Sequence, residues 1–141
     1  MKTILVIATI LISVEAQSQN NQIDSVYHSG WIKIQLPFSF NKAHYNYTEG
    51  DYFSYTFKDT SVIVVHSGYM TVIPHLRGVN YEVKDSTLND RAGFRKSDNL
   101  RWREINIKHG LNIFFDNVKP DKQIYFDNLL LDIKTQLENS L

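Results

Sequence analysis

Hydrophobic and polar positions divide the chain into runs of two periods, and the period predicts the element. From Trp31 to Leu36 the residues alternate, with Ile32, Ile34 and Leu36 on one side and Trp31, Lys33 and Gln35 on the other. Successive side chains of a strand point to opposite faces, so the run predicts a half-buried strand; Pro37, which has no N–H for a ladder, stops it. Asp51 to Phe57 alternates again, with Phe53, Tyr55 and Phe57 opposed to Tyr52, Ser54 and Thr56. Lys58-Asp59-Thr60 supplies turn residues, and Ser61 to Val65 follows with the β-branched run Val62-Ile63-Val64-Val65. An unbroken apolar run of this length suits a strand buried on both faces near the middle of a sheet, and the two strands read as a hairpin.

Tyr69 to Ile73 is expected to form a further short strand. From Pro74 to Leu100 the apolar residues are isolated among Gly, Asn, Asp, Ser and Lys, which predicts a long loop with at most one short element. Trp102 to Ile107 and Leu111 to Val118 are strand-like and are joined by Lys108-His109-Gly110, a connection with glycine where a left-handed backbone is favoured. Pro120 and Asp121 then mark a helix start, and Phe126, Leu129, Leu130, Ile133 and Leu137 recur at helical spacing on one face. Strands close in sequence, short turns and a closing helix predict an α+β domain: a mainly antiparallel β-sheet covered by at least a C-terminal α-helix.

The N-terminus changes the picture of where this domain works. Met1-Lys2 is a short positive region and Thr3 to Val14 an apolar run of signal-peptide length. That run is shorter than the about 20 residues a membrane span needs. Cleavage is expected after Ala16, with Val14 and Ala16 at the selective positions and Ser18 as the alternative. The expected organisation is a cleaved signal peptide over 1–16, a flexible Asn/Gln-rich segment over 17–25, and one α+β domain over 26–141. Asn46-Tyr47-Thr48 matches a glycosylation sequon but reads as a turn before a strand.

Composition adds bounds. Of 141 residues, 43% are hydrophobic and 13% aromatic, enough for a core that needs no metal or disulfide. The chain has no cysteine, so it has no acylation point after the cleavage site and no disulfides. The expectation is a soluble, exported protein without a lipid anchor, in a Gram-negative periplasm or outside the cell. The 15 basic residues balance 15 acidic ones, and loss of Lys2 and Glu15 with the leader leaves 14 of each. A neutral chain without a Lys/Arg cluster lacks the footprint of a nucleic-acid binder or a polybasic membrane patch.

The order of elements resembles the PsbP and Mog1 fold family. The resemblance is carried by Gly30-Trp31-Ile32-Lys33-Ile34-Gln35-Leu36-Pro37 at the start. At the end it is carried by Trp102-Arg103-Glu104, Leu111-Asn112-Ile113-Phe114-Phe115 and Tyr125-Phe126-Asp127-Asn128-Leu129-Leu130. Residues 74 to 100 do not map onto it. It implies an antiparallel sheet sandwiched by helices, and an accessory or binding role without catalysis of its own.

Candidate chemistry is sparse. His28, His44, His66, His75 and His109 stand singly, without metal-ligand spacing, so no metal site is expected; His66 and His75 are the one pair that strands could bring together. No nucleophile elbow or phosphate-cradling glycine loop is present, so no catalytic residue and no cofactor are expected. Arg101, Arg103 and Glu104 around Trp102 read as a solvated, weakly paired strand face. Tyr45, Tyr47 and Tyr52, with Trp31 and Trp102, form the candidate surface for a protein or small ligand, since aromatic rings with polar handles stack and hydrogen-bond. Against this, Phe53, Tyr55 and Phe57 read as core and the remaining tyrosines as ordinary cross-strand pairs. The leading expectation is a non-enzymatic binding or accessory protein. A small hydrolase or lyase using scattered His, Tyr and Asp residues, and an immunity or inhibitor protein, are the alternatives.

Overall fold

The computed structural model describes residues 22–36, 39–48, 50–68, 81–87 and 89–141, with the backbone alone for 84–86. Strands β1 (Gln22–Tyr27) and β2 (Trp31–Leu36) form an antiparallel hairpin. Seven more follow: β3 (Asn41–Tyr47), β4 (Gly50–Thr56), β5 (Val62–Gly68), β6 (Tyr81–Ser86), β7 (Asp90–Arg95), β8 (Arg101–Ile107) and β9 (Leu111–Val118). They make one sheet in the order β3-β4-β5-β9-β8-β7-β6, antiparallel throughout. Helix α1 (Gln123–Glu138) closes the fold. The chain is therefore an α+β domain, mainly antiparallel sheet with a C-terminal helix packed on it.

Two meanders, β3-β4-β5 and β6-β7-β8-β9, meet along the β5–β9 ladder. Both strands are interior to the sheet and pack apolar residues on each face, so they need no polar alternation. Ile63 and Val65 of β5 face the helix with Ile113 and Phe115 of β9, while Val64 and Phe114 pack together on the other face. On the helix side, Phe53, Tyr55, Ile105 and Ile107 join Phe126, Leu129, Leu130, Ile133 and Leu137 of α1 in one cluster. Val26, Ile32, Ile34 and Leu36 bring the β1–β2 hairpin onto the same face.

The hairpin is fixed there by polar contacts as well. The Tyr55 hydroxyl donates to Asp24 Oδ2 at 2.7 Å and Lys42 Nζ donates to Asp24 Oδ1 at 2.9 Å. Burial raises the Asp24 carboxyl, but the Lys42 and Tyr55 bonds outweigh it and hold it below the usual range. Burial and the bond to Asp24 push the Tyr55 phenol far up.

Three expectations change. First, residues 74–100 are not one loop: β6 and β7 form an antiparallel hairpin inside that span. Second, Asn41–Tyr47 forms a strand, β3, that apolar alternation does not predict: it is an edge strand with mostly exposed residues, and its ladder with β4 comes from backbone hydrogen bonds. Third, strand order starts at Gln22, ahead of Val26, because Gln22 to Ser25 pair with Lys33 to Leu36. The expected strand at Tyr69 to Ile73 and the leader over 1–16 lie outside the described residues. In the β8–β9 connection Gly110 takes the left-handed backbone expected of it (φ 77°), and His109 takes it too (φ 65°).

Candidate functional site

Register places the candidate residues. On the face away from α1, one row runs across five strands: Tyr45 opposite Tyr52, Tyr52 opposite His66, His66 opposite Asn112, and Asn112 opposite Asn106. The next row, Ser54, Val64, Phe114, Glu104 and Arg91, lies beside it. Exposure falls inward along the first row: Tyr45 is 61% exposed, Tyr52 is half-buried, and His66 and Asn112 are buried.

Tyr47, 41% exposed at the end of the edge strand, reaches back to this row. Its hydroxyl is hydrogen-bonded to His66 Nε2, and the two rings are stacked with centroids 5.9 Å apart. Tyr52 packs between, 6.2 Å from both Tyr45 and His66 and 6.3 Å from Phe114. Burial lowers the His66 pKa, so the ring is neutral at pH 7. Burial, then the charge of Asp116, raises the Tyr52 phenol. The result is a patch of neutral aromatic rings carrying hydroxyl and imidazole groups, exposed at the sheet edge and anchored toward its centre.

Beyond the tyrosines the same face is polar and buried. Glu104, 1% exposed, is paired with Arg91 and accepts from Asn112 Nδ2 at 2.6 Å. Asn112 Nδ2 also donates to Asn106 Oδ1 at 2.7 Å. Glu104 is thus not part of a solvated strand face, contrary to the alternating-charge reading. Arg103 points to the other side, where Nε and Nη2 clasp Asp90 at 3.0 and 2.8 Å and Nη1 reaches Asp127 of α1 at 2.9 Å. These contacts tie β7, β8 and the helix together and are structural.

Of the sequence candidates, the structure gathers Tyr45, Tyr47 and Tyr52 and separates the tryptophans from them. Trp102 is not a surface residue. It is 2% exposed, and its ring lies over Gly93 of the neighbouring strand, which has no side chain to obstruct it. Trp31 is 67% exposed but belongs to the β1–β2 hairpin, where it meets Tyr27 edge-on at 5.5 Å. There it lines a separate groove of about 750 Å³ with His28 and His109. His75 lies outside the described residues, so the His66–His75 pair is not placed.

Sequence reading missed the His66–Tyr47 contact and two further histidine pairings. His28 Nδ1 lies 2.6 Å from Ser67 Oγ. His44 Nε2 lies 2.7 Å from Asp51 Oδ1, stacked on Phe53 at 4.2 Å. The Tyr47–His66 and His44–Asp51 contacts join residues on different strands and the His28–Ser67 contact joins the β1–β2 turn to β5; only the alternation of β4 could have placed Asp51 and Phe53 on the same side. Among the described residues, no group of three or more His, Cys, Asp or Glu converges at metal-binding geometry. Among them, too, no helix is long and apolar enough to cross a membrane. Comparison with known proteins returns no matching family model, no matching curated protein and no matching solved structure.

Proposed function

We propose that this chain is an exported binding or accessory protein, without catalysis of its own, that holds its ligand on the tyrosine edge formed by β3, β4 and β5. One observation carries the reading: Tyr45 and Tyr47 are exposed side by side on an edge strand while Tyr52 and His66 brace them from within. Rigid aromatic rings with polar tips give contact area at low cost in conformational entropy, and they serve both sugar rings and protein partners. The apolar leader supports export to the periplasm or the exterior. The PsbP and Mog1 resemblance of the opening and closing segments supports an accessory role. An immunity or inhibitor role is the special case in which the ligand is an exported toxin.

The test uses residues 17–141, immobilised and exposed in parallel to a glycan array and to envelope and culture fractions. A ligand retained by the wild type should be lost about tenfold or more with Tyr45→Ala and Tyr47→Ala, the scale of an aromatic hot spot. Trp31→Ala should leave it unchanged. Equal retention by all three variants would move the site elsewhere.

A second reading, a small hydrolase, rests on the 2.6 Å contact of His28 with Ser67 beside the Trp31 groove. Ser67 is buried, and among the described residues no carboxylate orients His28. Ester turnover abolished by Ser67→Ala would favour this reading over binding alone.

A further inference from the structure

The groove beside Trp31 holds chemistry that the tyrosine edge does not use. It lies where the β1–β2 turn meets the β8–β9 turn, and His28, Gly30, Trp31, His109 and Gly110 line it. One ladder ties the two turns together. His28 is hydrogen-bonded to Ser67, Ser67 pairs with Leu111, and a Cβ built on Gly110 would stand 2.9 Å from the Gly68 carbonyl oxygen. His109 is held beside that contact in a left-handed backbone, φ 65°, uncommon for a residue other than glycine. The two imidazoles are therefore presented by short, constrained turns rather than by a long loop.

Their chemistry is set by what surrounds them. Ser67 Oγ occupies Nδ1 of His28, which fixes the ring and leaves Nε2 as the nitrogen for a ligand, the arrangement by which outer hydrogen bonds orient metal-binding histidines. His109 is exposed on its turn.

We propose that His28 and His109 form a two-imidazole site for a divalent late first-row transition metal, copper(II) before the others, with water completing the coordination. Imidazole donors suit copper, nickel and zinc, whereas magnesium, calcium and manganese favour oxygen donors. With two protein ligands the site is open and exchangeable, unlike the four-ligand cages of structural zinc.

The test is calorimetric titration of the full chain with copper(II), nickel(II), zinc(II) and manganese(II) chlorides in a non-chelating buffer at pH 7.5, with tryptophan fluorescence followed in parallel. One equivalent of copper should bind most tightly, nickel and zinc more weakly, and manganese should give no response. Paramagnetic copper should quench Trp31, so Trp31→Phe should remove most of the quenching and keep the calorimetric binding. His109→Ala, on an exposed turn that leaves the core intact, should weaken copper binding about tenfold or more. Ser67→Ala, which releases the His28 ring, should weaken it by about 10-fold, in line with outer-sphere partners of other metal sites. Equal copper affinity in the wild type and His109→Ala would assign the metal to other histidines and overturn the proposal. No heat with copper would overturn it as well.

Discussion

At the scale of single residues, Gly93 and Trp102 show how one position settles another. The indole of Trp102 lies over β7 because Gly93 has no Cβ; one built there would stand 1.8 Å from the Glu82 carbonyl oxygen and 2.9 Å from Cζ2 of Trp102. Gly93→Ala must therefore displace backbone as well as the ring. We expect a loss of about 2 kcal/mol or more, the cost of overpacking a filled interior, read as a lower denaturant midpoint at unchanged slope. A change within about 0.5 kcal/mol, the ordinary range for unconstrained positions, would show that β6 yields freely. Neither residue could be placed from its neighbours in sequence. Trp102 stands in an alternating run between two arginines, and alternation says that one side is buried without saying which. Phe53, Tyr55 and Phe57 were legible as core because they fall together on one side of their run, opposed by Tyr52, Ser54 and Thr56, and all three are buried.

At the scale of elements, legibility followed burial. Strands β2, β4, β5, β8 and β9 and helix α1 all press apolar residues into the main cluster and were readable from the period or the unbroken length of their apolar runs. Strands β3, β6 and β7 were not, because they form or adjoin the edges of the sheet, where a neighbour's backbone supplies the hydrogen bonds whatever the side chains are. The β1–β2 hairpin belongs to neither edge and is held by its apolar side together with Asp24. Tyr55→Phe removes the hydrogen bond to that carboxylate while keeping the ring. We expect a loss of about 1.5–3 kcal/mol, the range for hydrogen bonds to charged groups. Hydrogen exchange should accelerate in β1 and β2 before it does in β5 and β9. Uniform acceleration across all strands would mean that Asp24 is not what fixes the hairpin.

At the scale of the whole molecule, stability and the tyrosine edge are linked through His66. The folded state holds His66 and His28 below their ordinary pKa, chiefly by burial. The unfolded chain therefore binds protons that the folded chain refuses, and the stabilisation present above about pH 6.5 is lost as the pH falls. Tm should decline between pH 7 and pH 5, and His66→Gln, which keeps a hydrogen-bonding group beside Tyr47, should make the decline shallower. An identical slope in the variant would show that His66 is solvated before unfolding. The sequence by itself determined the α+β class, the apolar side of each well-buried strand and the face of α1, because period and burial are local properties of a run. Only the tertiary structure decided that β5 lies beside β9, that Trp102 is inside, that Tyr47 meets His66 and that His28 shares a groove with His109. Those pairings join residues distant in the chain through backbone ladders that any strand can offer. Register between them is set by how the whole molecule buries its surface, not by the residues on either side.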